Sequence, residues 1–158
     1  MKSLFVAITL VLSLVFVQAY AFAALPEAKP ESRNVAVGRQ AIEVKDFKSA
    51  VENLTKAVQQ NPRDADAHTM LGHSYRKLGN FDKSMEHYQM ALKINPNDRD
   101  AHEYLGELYL QLNQAANAEM ELQALKKACP FFGKCTEYED LKKAINNYRA
   151  NFRSAAGL

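Results

Sequence analysis

The 158-residue chain carries 20 lysine and arginine residues against 18 aspartate and glutamate residues, a formal charge of +2. A near balance of this kind lacks the clustered surplus of positive charge that holds nucleic acid. From Val35 to Ala128 the chain is rich in Ala, Leu, Lys, Glu and Gln, a helix-forming composition.

The first residues read as a secretory leader. Lys2 provides a positive start, Leu4 to Val17 form an apolar run interrupted only by Thr9 and Ser13, and Ala21-Phe22-Ala23 offers small residues at signal-peptidase spacing. Cleavage is expected after Ala23, giving a signal peptide at 1–23 and a linker at 24–30. The rival reading is a retained anchor, since Leu4 to Leu25 is close to the roughly 20 residues that span a bilayer. No cysteine follows the run to carry a lipid. Removing 23 of 158 residues leaves 135, enough for one domain, and removing Lys2 leaves 19 basic residues against 18 acidic ones. The mature chain is expected outside the cytoplasm, in the periplasm, with no stable membrane insertion and no nucleic-acid partner.

An internal period organises the rest. Pro62, Pro96 and Pro130 are 34 residues apart, as are Gly38, Gly72 and Gly106. The same register lays Asn61-Pro62 over Asn95-Pro96, Leu71-Gly72 over Leu105-Gly106, Tyr75 over Tyr109 and Ala57 over Ala91. A glycine inside a helix costs about 1 kcal/mol against alanine, so its recurrence calls for a close helix contact, expected against Ala50, Ser84 and Ala118. Asn-Pro ends each unit, Asp64 and Asp98 are placed to cap the following helices, and Lys45-Asp46, Gly79-Asn80 and Asn113-Gln114 supply the turns within units.

Beyond Pro130 the sequence Thr136-Glu137-Tyr138-Glu139 reads as a capping box. It is followed by Tyr138, Leu141, Ile145, Tyr148 and Phe152 on one side of a helix. Cys129 and Cys135 bracket this junction. In an oxidising compartment a structural disulfide is the expected reading, and closing so short a ring contributes about 2 kcal/mol. An exchanging disulfide and metal ligation are the alternatives. Phe131 and Phe132 are expected to seat the final helix.

The period and the residues in register resemble the tetratricopeptide repeat, a helix-turn-helix unit of about 34 residues. The resemblance covers residues 31–130 and implies an all-α, right-handed superhelical solenoid of three repeats, 31–64, 65–98 and 99–130, with a junction and capping helix at 131–158. The first repeat is the weakest match, with Val37 and Ala41 where later copies have Leu and Tyr, as terminal repeats commonly are.

Such a scaffold implies a partner-binding groove on the concave face formed by the first helices. The residues expected there are Val35, Arg39 and Ile42, then Thr69, His73, Arg76 and Lys77, then Asp100, Glu103, Glu107 and Leu110. Along the groove these give a basic middle and an acidic end. Relatives that clamp a free C-terminal carboxylate use Lys and Asn on the first helices. Val35, Arg39, Met70, Asp100 and Tyr104 occupy those places here, so that clamp is not expected.

His68 and His102 echo each other 34 residues apart, near His73, but form no tight ligand pair. No metal or cofactor is expected, and no partner for His87 is evident. There is no phosphate loop or nucleophile elbow, so a non-catalytic protein-interaction adaptor or assembly factor binding a protein or peptide is the expected function. The alternative is a structural scaffold of the cell envelope that self-associates into a homo-oligomer.

Overall fold

The computed structural model describes residues 31–130 and 133–155. The expected leader at 1–23, the linker at 24–30, and Phe131 and Phe132 lie outside the described residues. Seven helices follow one another: α1 Arg33–Glu43, α2 Phe47–Gln60, α3 Ala65–Lys77, α4 Phe81–Ile94, α5 Arg99–Gln111, α6 Ala115–Ala128 and α7 Thr136–Ala155. Among the described residues no helix is long and apolar enough to cross a membrane.

Local chemistry sets nearly every boundary. The side chains of Ser32, Asp46, Asp64, Asn80 and Asp98 accept from the amides of Val35, Ser49, Ala67, Lys83 and Ala101 respectively. Each such cap is worth about 1 kcal/mol. Gln114 starts α6 without a side-chain cap. Within each pair the turn depends on one left-handed residue at the same repeat position: Lys45 (φ 60°), Gly79 (φ 77°) and Asn113 (φ 58°). Between pairs, Asn61 and Asn95 each accept from an amide two residues on, at Arg63 and Asn97, turns that short Asn side chains favour.

The helices pair as α1–α2, α3–α4 and α5–α6, each second helix packs on the next first helix, and α1 touches α3 as α3 touches α5. The result is a right-handed solenoid of three helix-turn-helix units. Ala50, Ser84 and Ala118 are fully buried, but they are not what fills the glycine notches. A Cβ on Gly38 would stand 2.6 Å from Leu54, and one on Gly72 would stand 2.7 Å from the Tyr88 ring. Both contacts come from one turn beyond the expected small residues. At Gly106 the first atoms met belong to Leu141, at 2.6 Å, so α7 enters the last notch where the register alone points to α6.

This insertion fixes α7. Leu141 and Ile145 are buried with Ala118, Leu122 and Leu125. Arg149 pairs with Glu119 at 2.6 Å and Arg99 with Glu137 at 3.6 Å. Cys129 and Cys135 are joined, with Cα atoms 5.8 Å apart. Two expectations are corrected here. α7 begins at Thr136 itself, which places Thr136 inside the helix and not ahead of it as a cap. Phe152 is 65% exposed, stacking on Tyr148 at 6.5 Å without reaching the core.

Candidate functional site

The concave side of α1, α3 and α5 holds a cavity of about 240 Å³. Arg39, Ile42 and Glu43 line it from α1, Asp66, Thr69, Met70 and His73 from α3, and Asp98, Asp100 and Tyr104 from the start of α5. Of the residues expected in a groove, Arg39, Ile42, Thr69, His73 and Asp100 are thus brought together. Glu43, Asp66, Met70, Asp98 and Tyr104 join them. The 34-residue register pairs Asp66 with Asp100 and Met70 with Tyr104, and that pairing was the available signal.

The other expected groove residues have different surroundings. Val35 is 3% exposed and lies in the core with Ala57 and Ala67, because the first turn of α1 faces the second and third helices. Leu110 packs against the cluster formed by α6 and α7. Lys77 is exposed at the end of α3 and does not line the cavity. Arg76 is 7% exposed, donates to Glu107 at 2.6 Å, and carries its guanidinium over the Tyr104 ring at 5.9 Å. Arg76 and Glu107 therefore form a tie between α3 and α5. A second tie is made by Thr69, whose hydroxyl donates to Asp98 at 3.0 Å while the other oxygen of Asp98 accepts from the Ala101 amide.

The expected basic middle of the groove is corrected by these placements. Arg76 is consumed by Glu107. His73 is held neutral, its pKa pushed down to about 4 by burial and by the nearby Arg76 and Lys77. Its ring lies 4.8 Å from that of Tyr104, and its buried Nδ1 makes no hydrogen bond among the described residues.

The far side is acidic. Burial, Asp98 and Glu137 raise the Asp100 carboxyl. Burial together with Glu107, Asp140, Asp100 and Glu137 raises Glu103 to about 7. Burial and the same acidic surroundings lift the Tyr104 phenol to about 12. Tyr88, wholly buried behind this wall, is raised by burial. Arg76 and Ser84 approach its hydroxyl without hydrogen-bonding geometry.

The histidines off the groove have partners. His68 Nε2 donates to the Pro62 carbonyl at 3.2 Å, which leaves its Nδ1 to accept from His87 Nδ1 at 3.0 Å. His87, for which the sequence suggested no partner, also stacks on Tyr75 at 5.6 Å. In the next repeat His102 makes the same contact to Pro96, and Glu121 takes the place of His87 at 2.6 Å. Among the described residues no group of three or more His, Cys, Asp or Glu side chains is placed to hold a metal ion.

Residues 65–98, the second unit, match the tetratricopeptide repeat family model. No curated protein matches the chain. Among solved structures, the TPR2B domain of yeast Sti1, titled as a complex with pHsp70, aligns with a TM-score of 0.68 at 16% identity, covering 75% of this chain and 94% of that one. MamA of MSR-1 aligns with a TM-score of 0.56 at 23% identity over 60% of this chain and 55% of that one. A MamA RS-1 double mutant aligns with a TM-score of 0.58 at 23% identity over 60% and 53%. The chain thus spans little more than half the length of these MamA structures. Repeat register, helix packing and these matches agree that the fold is the tetratricopeptide solenoid and that residues 65–98 are a tetratricopeptide repeat.

Proposed function

We propose that the protein is a non-catalytic adaptor or assembly factor that holds a segment of a partner protein in the groove of α1, α3 and α5. The observation that carries this reading is the cavity itself. Three successive first helices bring the apolar side chains of Ile42, Met70 and Tyr104 together with the carboxylates of Glu43, Asp98 and Asp100 on a concave surface. The cross-ties Arg76–Glu107 and Thr69–Asp98 fix α3 against α5, so this part of the receptor does not have to be ordered on binding. The TPR2B domain of Sti1, similar in fold, is described as a complex with pHsp70.

We place the adaptor outside the cytoplasm, in the periplasm. The apolar leader ending in Ala21-Phe22-Ala23 supports this, as does the use of both cysteines in one disulfide. The test is site-specific photo-crosslinking in the native envelope. A crosslinker at Met70 on the groove should give a discrete adduct that competes with unlabelled protein. One at Met120, 68% exposed on α6, should not. Adducts from Met120 alone would overturn the groove reading.

A further inference from the structure

We propose that the groove is a receptor for a basic side chain, a lysine or arginine carried by an extended stretch of the partner, with its aliphatic stem on Ile42, Met70 and Tyr104 and its charge at Asp100. The inference rests on the groove reading above and names the chemistry the groove selects.

The charges on the cavity wall carry the argument. Glu43, Asp98 and Asp100 line it beside Asp66 and Arg39, which make contacts of their own, so the first three alone leave the wall acidic. Two further guanidinium groups are paired, that of Arg76 with Glu107 and that of Arg99, beside Asp100, with Glu137. Asp140 of α7 adds a further negative charge near Glu103, one turn beyond Asp100. Such a wall repels its own members and attracts a cation, giving specificity through complementary charge.

The remaining surfaces suit the rest of a long basic side chain. The thioether of Met70 and the methyl groups of Ile42 offer apolar contact for its methylenes. The Tyr104 ring, which already carries the Arg76 guanidinium at 5.9 Å, adds apolar surface to the same lining. His73 lies in the same lining and, held neutral, sets no positive charge against a cation. A carboxylate ligand would meet none of these needs and would stand among like charges.

The test uses four acetylated, amidated tripeptides, Ala-X-Ala with X as Arg, Lys, Gln or Glu, titrated into the ¹⁵N-labelled protein. The Arg and Lys peptides should shift amides in 39–43, 66–73 and 100–107, and the Gln and Glu peptides should bind about tenfold more weakly or not at all, as expected for loss of a charge-assisted hydrogen bond. Raising the salt concentration should weaken the Arg peptide. The variant Asp100→Asn should weaken it about tenfold while keeping the wild-type helix content.

Equal binding of all four peptides at the groove overturns the inference and leaves the groove reading standing. Shifts outside the groove, or an Arg peptide indifferent to Asp100→Asn, overturn it too. If none of the peptides perturbs the groove the inference fails, and the Met70 crosslink then decides whether the groove reading fails with it.

Discussion

Burial beside Glu107, Asp140, Asp100 and Glu137 raises the Glu103 carboxyl to about 7, so the folded protein holds a proton there that the unfolded chain releases near 4.5. Stability from this group is complete below about 4.5 and declines as pH rises through about 7. Glu103→Gln should therefore raise the free energy of unfolding at pH 8, by on the order of 1 kcal/mol once solvent screening of a half-buried group is allowed for, and leave it unchanged at pH 4. Chemical denaturation at both pH values checks this. Lys45 shows another local cost, a lysine at φ 60° where the equivalent residues are Gly79 and Asn113. The left-handed region costs an ordinary side chain about 1 kcal/mol. Lys45→Asn should recover several tenths of that, measured the same way. In contrast Gly72→Ala gains helix propensity but drives a methyl to 2.7 Å from the Tyr88 ring, and overpacking of that kind costs about 1–3 kcal/mol. Its net effect should be destabilising. These residues also show what sequence reading reaches. The glycine notches and the turn positions follow from the period, but the neutrality of His73 and the burial of Arg76 depend on contacts across repeats, Arg76 with Glu107 among them, that no period specifies.

At the scale of single elements, the two histidine ties between α3–α4 and α5–α6 occupy one repeat position and titrate in opposite senses. Burial and the adjacent His68 depress His87, so the folded state resists its protonation and this tie loses stability as pH falls below about 6.5. At His102 burial opposes the cation, but Glu121 and the Pro96 carbonyl outweigh it and raise the pKa. That tie is complete below about 6.5 and weakens as pH rises through the raised value. His87→Glu copies the third-repeat arrangement into the second and should reduce the acid destabilisation between pH 6.5 and 5, read from melting temperature against pH. The final helix is held by two devices of unequal strength. Closing the short Cys129–Cys135 ring contributes about 2 kcal/mol, whereas removing the Leu141 side chain from the Gly106 notch should cost about 2–5 kcal/mol. Reduction should thus raise hydrogen exchange in 136–152 while 39–107 keeps its protection, and Leu141→Ala should release α7 more completely. The amphipathic stripe of this helix is legible in the sequence. Its seat on Gly106 is not, because α7 stands outside the repeat and displaces the contact that the register assigns to α6.

Over the whole molecule, architecture and site differ in how much of them the sequence carries. A 34-residue period, with Pro at the unit ends and Gly in the first helices, is enough to derive three stacked helix pairs and the face on which their first helices meet. The charge of that face needs the coordinates. Five expected groove residues line the cavity, while Val35 and Leu110 lie in the packing instead, and loss of the basic middle turns the groove acidic. The most direct measurement is hydrogen–deuterium exchange of the full chain with and without the partner captured by the Met70 crosslinker. New protection concentrated in 39–43, 66–73 and 100–107 is the predicted result. Protection confined to α2, α4 and α6, with the groove unchanged, would contradict it.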